Sequence, residues 1–411
     1  MVLLLLPLST AAQHSEITAS NIRTLQLTVN NNALLAPVLT LGSNDYIRIE
    51  FDDMTPEYHR YIYRLTHCCA DWTPSQEIFE SDYMEGFNNR PIDDYERSLN
   101  TTIPYTHYSL TLPNEDVRMK LSGNYRLEVF YDETGKDCDT PVLTARFCIV
   151  EPRLSVMASM NTNTDIDFNR SHQQMDINIG YAGWTVVSPE QELNVVVLQN
   201  RRLDNAVYNP KPTFRNGSGL VYQHCRDLIF PAGNEFHKFE LRDVHITSLG
   251  VNEIEWIEPY YHALLFPNEI GKNYVYTEDQ NGLFYVRSDE GESATRSEYV
   301  VFHFFLLSPE MPGGDVYIQG GCTQNRLLPD FKMTYNREGG YYQADILLKQ
   351  GYYNYQYLYV PSGETVGQTA PTEGDFFQTE NEYSVLVYHR KPGERYDRLV
   401  GYRTFRYTYN K

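Results

Sequence analysis

Residues 66–74 read THCCADWTP, which sets a histidine, two cysteines, an aspartate and a tryptophan side by side. Those residue types build metal sites and thiol enzymes. Their spacing argues against both. A zinc site wants ligands separated as C-x₂-C, with a second pair downstream. Cys68 and Cys69 are adjacent, and on a strand adjacent side chains leave from opposite faces. A redox dithiol wants C-x-x-C, which this stretch lacks. A thiol nucleophile needs a base held beside it, and nothing here marks one out. The structural reading is simpler. YIYRLTHC alternates as a strand does, with Cys68 expected in the core. Asp71 is expected to accept backbone hydrogen bonds at a turn, and Trp72 to pack inward. Thr73 as N-cap, Pro74 at the first helical position and Gln76 at capping-box spacing predict a short helix ending near Ser81.

Paired carboxylates could serve acid–base chemistry. Asp52-Asp53 and Asp93-Asp94 are adjacent pairs. Glycoside hydrolysis needs two carboxylates facing each other across a cleft, so both pairs are expected as solvated turns and caps. No G-x-S-x-G, H-E-x-x-H or P-loop occurs. No catalytic, metal or cofactor residue is therefore assigned.

The elements that would position any site read as strands. YIRIEF (46–51) puts Ile47, Ile49 and Phe51 on one face. YRLEVFY (125–131) groups Tyr125, Leu127, Val129 and Tyr131. YYQADILL (341–348) groups Tyr342, Ala344, Ile346 and Leu348. Gly and Pro punctuate the intervals, and helical periodicity is scarce. The expectation is an all-β chain of tandem immunoglobulin-like or early-set β-sandwich domains with few short helices. Hinges at Glu151-Pro152 and at Pro309–Gly314 divide it into 13–151, 152–308 and 309–411. In YNYQYLYV (353–360), Tyr353, Tyr355, Tyr357 and Tyr359 share a face. The last block resembles the early-set sandwiches of glycogen-binding modules, so carbohydrate binding is the alternative function. Sugar stacking needs exposed flat aromatics, no Trp follows Trp256, and cross-strand packing is the commoner use of such a ladder. Glycan is therefore the less favoured partner.

Composition sets the wider limits. The chain has 411 residues, 54 acidic and 34 basic side chains, and a net charge of −20. No basic stripe exists to neutralise phosphates, which argues against nucleic acid and against docking on anionic lipid. MVLLLLPLSTAA (1–12) has the apolar run and small residues of an export signal, possibly truncated because a basic start is missing. The mature chain is expected to begin near Gln13. No other apolar run approaches the ~18–20 residues of a membrane-spanning helix, so direct insertion is not expected. Six cysteines are too few for a disulfide scaffold, although Cys138 and Cys148 could pair from neighbouring strand ends. The 34 tyrosines suit half-exposed sheet faces or an interface.

Taken in order, several segments resemble one family, the plug protein of the type IX secretion system. They are HCCADW (67–72), MEGFNN (84–89), NTTIPYTHYSLTLPNEDVR with SGNYRLEVF (100–130), NPKPTF (209–214) and IFPAGNEFHKFELR (229–242). They continue with GDVYIQGG (314–321), LLKQGYYNYQYLYV (347–360) and ENEYSVLVYHRKPGERYDRLVGY (380–402). The likeness runs from about Asn21 to Tyr409. Cys69 departs from the Asn or Asp usual in the family. The resemblance implies a periplasmic protein without catalysis, whose partner is the outer-membrane barrel translocon. It would cap the periplasmic mouth of that barrel when nothing is exported. The signature residues it carries over are His67, Asp71, Trp72, Asn88, Asn100, Tyr105 and His107. They are expected to shape loops of the first domain or to touch the partner.

Overall fold

The computed structural model describes residues 14–55, 57–133, 138–291 and 293–409. The leader expected over 1–12 and the start near Gln13 lie outside them. Among the described residues the chain is almost wholly β, with three α-helices of four residues each at Glu80–Tyr83, Pro189–Glu192 and Ser293–Arg296. No helix among them is long and apolar enough to cross a membrane. The architecture is tandem β-sandwiches.

The first sandwich is built from two sheets. One orders Glu16–Ile17, Leu143–Val150, Gly123–Tyr131, Tyr61–Cys68 and Arg90–Pro91, with Val38–Thr40 added in parallel beside Leu143–Val150. The other orders Ile22–Val29, Ile47–Asp53, Thr106–Leu112 and Asp94–Arg97. Period-two alternation closes them face to face. Ile47, Ile49 and Phe51 are buried from one sheet, and Tyr125, Leu127 and Val129 from the other.

The second sandwich pairs a sheet of Ser155–Asn161, His172–Gly180, Gly219–Tyr222 and Phe214–Asn216 with one of Val207–Tyr208, Leu193–Gln199, Glu382–His389 and Arg398–Arg406. Strands from either side of the hinge expected near Pro309 thus lie in one sheet. Leu193–Gln199 runs antiparallel to Glu382–His389 over its whole length. Their side chains meet in one core, where Val195 and Val197 pack with Val385 and Val387.

The third sandwich also draws on both sides of that hinge. His237–Leu241, Gly351–Pro361, Phe284–Val286 and Gly314–Gln319 face Val251–Ile257, Tyr260–Leu265, Tyr299–Leu307, Tyr341–Lys349 and Thr334–Asn336. The chain leaves the second sandwich after Ile229–Pro231, builds the third, and returns. Sequence patterns gave no hint of this, because alternation reports a strand's faces and not its neighbour.

Tyrosine serves the cores as well as half-exposed faces. Tyr46, Tyr260, Tyr285 and Tyr341 are half-buried, as expected of sheet faces. Tyr61, Tyr63, Tyr108, Tyr125, Tyr353, Tyr357 and Tyr383 are fully buried. Burial is tolerable because the hydroxyls find acceptors. Tyr61 donates to Asp53 Oδ2 at 2.8 Å, Tyr108 to the His59 carbonyl at 2.6 Å and Tyr383 to Gln173 Oε1 at 2.7 Å.

A fragment spanning residues 309–411 should not fold alone, since Glu382–His389 loses Leu193–Gln199. Amide dispersion and a urea titration of that fragment check this. A cooperative transition would show that the shared sheets are dispensable.

Candidate interdomain site

Four charged or polar groups meet where the first and third sandwiches touch. Asp52 and His107 are cross-strand partners in the first sandwich. Tyr299 and Lys349 are cross-strand partners in the third. The two pairs face one another. Lys349 Nζ lies 2.6 Å from Asp52 Oδ2, and the Tyr299 hydroxyl donates to the same oxygen at 2.6 Å. His107 Nδ1 lies 2.7 Å from Asp52 Oδ1, and its Nε2 is 3.5 Å from Glu50 Oε1. Lys349 also donates to the Ala294 carbonyl at 2.6 Å and sits 4.1 Å from the centre of the Tyr105 ring. Both side chains of the Asp52–Lys349 pair are 1% exposed.

Burial alone would raise the Asp52 carboxyl; Lys349 and His107 outweigh it and hold the group below its ordinary value. Burial lowers His107, but its bonds to Asp52 and Glu50 win and push it up to about 9. Burial acts on Lys349 too and lowers its ammonium below the ordinary value, against the pull of Asp52. The site joins two bodies and offers no free acid or base.

The signature residues fall mainly at two seams. Tyr105 is buried at the first–third seam and donates to the carbonyls of Ser297 at 3.0 Å and Ala294 at 3.2 Å. Asn100 is exposed and holds φ at +62°, turning the loop beside Thr102. The Thr102 backbone N–H and hydroxyl donate to Glu298 Oε1 at 2.8 and 2.7 Å.

His67, Asp71 and Trp72 lie toward the first–second seam. His67 is buried, with Nδ1 2.8 Å from Ser75 Oγ and Nε2 3.1 Å from the Ser122 carbonyl. A Cβ on Gly123, whose φ is +136°, would come within 2.5 Å of that ring. Asp71 accepts from the backbone N–H of Thr73 at 3.0 Å and from its hydroxyl at 2.6 Å. Trp72 takes φ +67° and packs among Cys148, Val196, Leu386 and Tyr388.

The helix expected from Thr73 to Ser81 is not there. Ser75 N–H donates to the His67 carbonyl and Cys69 N–H to the Thr73 carbonyl, so the chain folds back as a tight loop. The helix begins only at Glu80. The capping signal was local, and the pairing of residues 74 and 75 back onto the strand prevailed. Asn88 stands apart from both seams. Its side chain accepts from Leu65 N–H at 2.7 Å and donates to the Leu65 carbonyl at 3.2 Å, in the manner of a neighbouring strand.

Two further corrections concern sequence chemistry. Asp52 and Asp53 are buried, not solvated. Adjacent on a strand, they face opposite ways: Asp52 into the seam, and Asp53 onto His59 Nδ1 at 2.7 Å and Asn21 Nδ2 at 2.7 Å. Asp93 and Asp94 are exposed, as expected. Cys138 and Cys148 do not form a disulfide with each other. Cys148 points into the first–second seam, donating to Asn124 Oδ1 at 3.2 Å. Sequence reasoning missed Asn124, which also accepts the Tyr388 hydroxyl at 2.8 Å and donates to the Cys69 carbonyl at 2.9 Å. It missed Asp397, whose carboxylate takes the Ala70 N–H at 2.8 Å.

Two comparisons place the molecule. Residues 22–151 match the family described as the type 9 secretion system plug protein first domain. A solved structure of a hypothetical protein from Parabacteroides merdae ATCC 43184 superposes with a TM-score of 0.93 at 41% identity, covering 96% of this chain and 99% of its own. No curated protein matches. The first sandwich, over residues 22–151, belongs to the type IX secretion system plug protein first-domain family. That is a family of secretion plugs and not of enzymes.

Replacing Asp52→Asn should destabilise the chain by about 3 kcal/mol, because Lys349 is left buried and unpaired. Adding Lys349→Met should recover at least half of that loss, read from urea midpoints. A second outcome concerns pH. His107 has a folded pKa of about 9, above its ordinary 6.5. Its contribution is full below 6.5 and is lost as pH rises through about 9. Wild type should lose more stability across that window than His107→Gln. Parallel curves would place the histidine neutral.

Proposed function

We propose that this chain is a non-enzymatic periplasmic plug. It docks on the periplasmic mouth of the type IX outer-membrane barrel translocon and seals the pore while no substrate is exported. The observation that carries this reading is the family match over residues 22–151. The interlocked sandwiches support it physically. A stopper has to resist deformation, and here one sandwich is threaded into another while a buried ion pair ties it to the first. The carbohydrate alternative loses its motif: Tyr353, Tyr355 and Tyr357 are buried in the third core, where no sugar can stack on them.

Deleting the gene should render the outer membrane permeable to large hydrophilic probes. A C-terminally tagged chain should recover a very large barrel protein from detergent-solubilised outer membranes. Unchanged permeability together with no barrel recovered would overturn the proposal.

A further inference from the structure

The three sandwiches meet around a cavity of about 240 Å³. Its wall is largely apolar, with Leu27 and Trp72 from the first sandwich, Leu198 and Leu386 from the second, and Phe284 from the third. One charged side chain opens into it unbalanced. Arg146 stands in the middle of Leu143–Val150, directly opposite Arg126 on the neighbouring strand. It is 7% exposed. Its Nε donates to the His14 carbonyl at 2.6 Å, and its guanidinium carbon lies 5.3 Å from the centre of the Trp72 ring. Nη1 is buried with no hydrogen-bond partner among the described residues.

Among the described residues no local carboxylate is free to neutralise it. The two that influence it are engaged elsewhere: Glu16 with Arg326 at 2.7 Å, and Glu128 with Arg126 at 3.3 Å. The other cation on the wall, Arg201, is held by Glu382 at 3.1 Å and by the Leu34 carbonyl at 2.6 Å. Burial takes His14 down to about 4, so it adds no charge near neutral pH. A chain of net charge −20 thus leaves one buried guanidinium without a counter-ion beside an apolar cavity. Buried cations are ordinarily paired, because an unpaired one forfeits its hydration without return.

We propose that this cavity binds an amphiphilic monocarboxylate, with its head group on Arg146 and its hydrocarbon body between Trp72, Leu198 and Leu386. The guanidinium fork matches a carboxylate. One cation balances one negative charge, whereas a doubly charged phosphate would carry an unmatched charge into apolar surroundings. The apolar wall gives the tail a place to leave water. The inference stands independently of barrel docking.

Decanoate, titrated calorimetrically into the full chain near neutral pH and below its micelle concentration, tests it. Saturable 1:1 binding is expected, at least about tenfold tighter than decanol, which has no charge to offer Arg146. Arg146→Met should weaken decanoate about tenfold or more while leaving the melting temperature unchanged or higher, since it removes an uncompensated buried charge. No saturable heat with wild type overturns the proposal, and so does equal affinity for decanoate and decanol. Undiminished binding to Arg146→Met overturns it too. Should that variant not fold, the decanoate–decanol comparison on wild type decides alone.

Discussion

The relative placement of the sandwiches rests on the contact between Asp52 and Lys349. Two cross-strand pairs, Asp52 with His107 and Tyr299 with Lys349, are set by the registers of separate sheets. Only when the sheets approach in one orientation do four donors and acceptors satisfy each other. A buried ion pair is a poor source of net stability, because desolvating both ions offsets most of their attraction. It is a good source of specificity. Any other packing of the first sandwich on the third would leave Lys349 facing apolar surface or Asp52 Oδ2 without a donor. An apolar seam would tolerate sliding by a residue or two; this one does not.

The second seam works differently. Cys148, Val150, Val196, Leu386, Tyr388 and Leu399 form a small apolar core between the first and second sandwiches. The Tyr388 hydroxyl fixes its register through Asn124, and Asp397 reaches across to the Ala70 N–H. The third seam, between the second and third sandwiches, carries carboxyls. Glu235 accepts from the Tyr274 hydroxyl at 2.7 Å and from Glu380 N–H at 3.1 Å, and burial beside Asp279 pushes its carboxyl up to about 7. Below that value the group is neutral and suits its surroundings. The stability this group adds is full below its ordinary 4.5 and is lost as pH rises through about 7, whereas the His107 seam remains charged up to about 9.

Much of the fold was legible. The alternation in YIRIEF, YRLEVFY and YYQADILL assigned faces that the structure confirms as buried or exposed, because a two-residue period is a direct consequence of the pleat. The seams were not legible. Lys349 continues the outward-facing series of Tyr341, Gln343, Asp345 and Leu347, so its parity reads as solvent. It is buried only because another sandwich covers that end of the sheet. Asp52 reads as a strand-end turn residue for the same reason. The exchange of strands between residues 193–199 and 382–389 leaves no local trace, since any apolar strand can face any other. Tyr105 and His107 were marked by family wording alone; Tyr105 reaches the Ser297 carbonyl, 192 residues away, and His107 bonds Asp52, which Tyr299 and Lys349 reach from the third sandwich.

This distribution of information bears on what a plug must do. On the plug reading proposed above, the exposed surface is free to follow a partner, while the internal geometry has to hold its shape. Because the third sandwich is inserted between strands of the second, both of its ends are tied to the second, after Ile229–Pro231 and before Glu382–His389. The chain enters the third sandwich after Pro231 and re-enters the second at Glu382, so both crossings lie near one another: Asn381 donates to the Ala232 carbonyl at 2.8 Å and to Gln173 Oε1 at 3.0 Å. A hinge needs few cross-links between its two strands. Here the two crossings are hydrogen-bonded together and to the second sandwich, which stiffens the junction most liable to bend. The residues singled out by the family resemblance fit the same footing: His67, Trp72, Tyr105 and His107 sit where the first sandwich meets the other two.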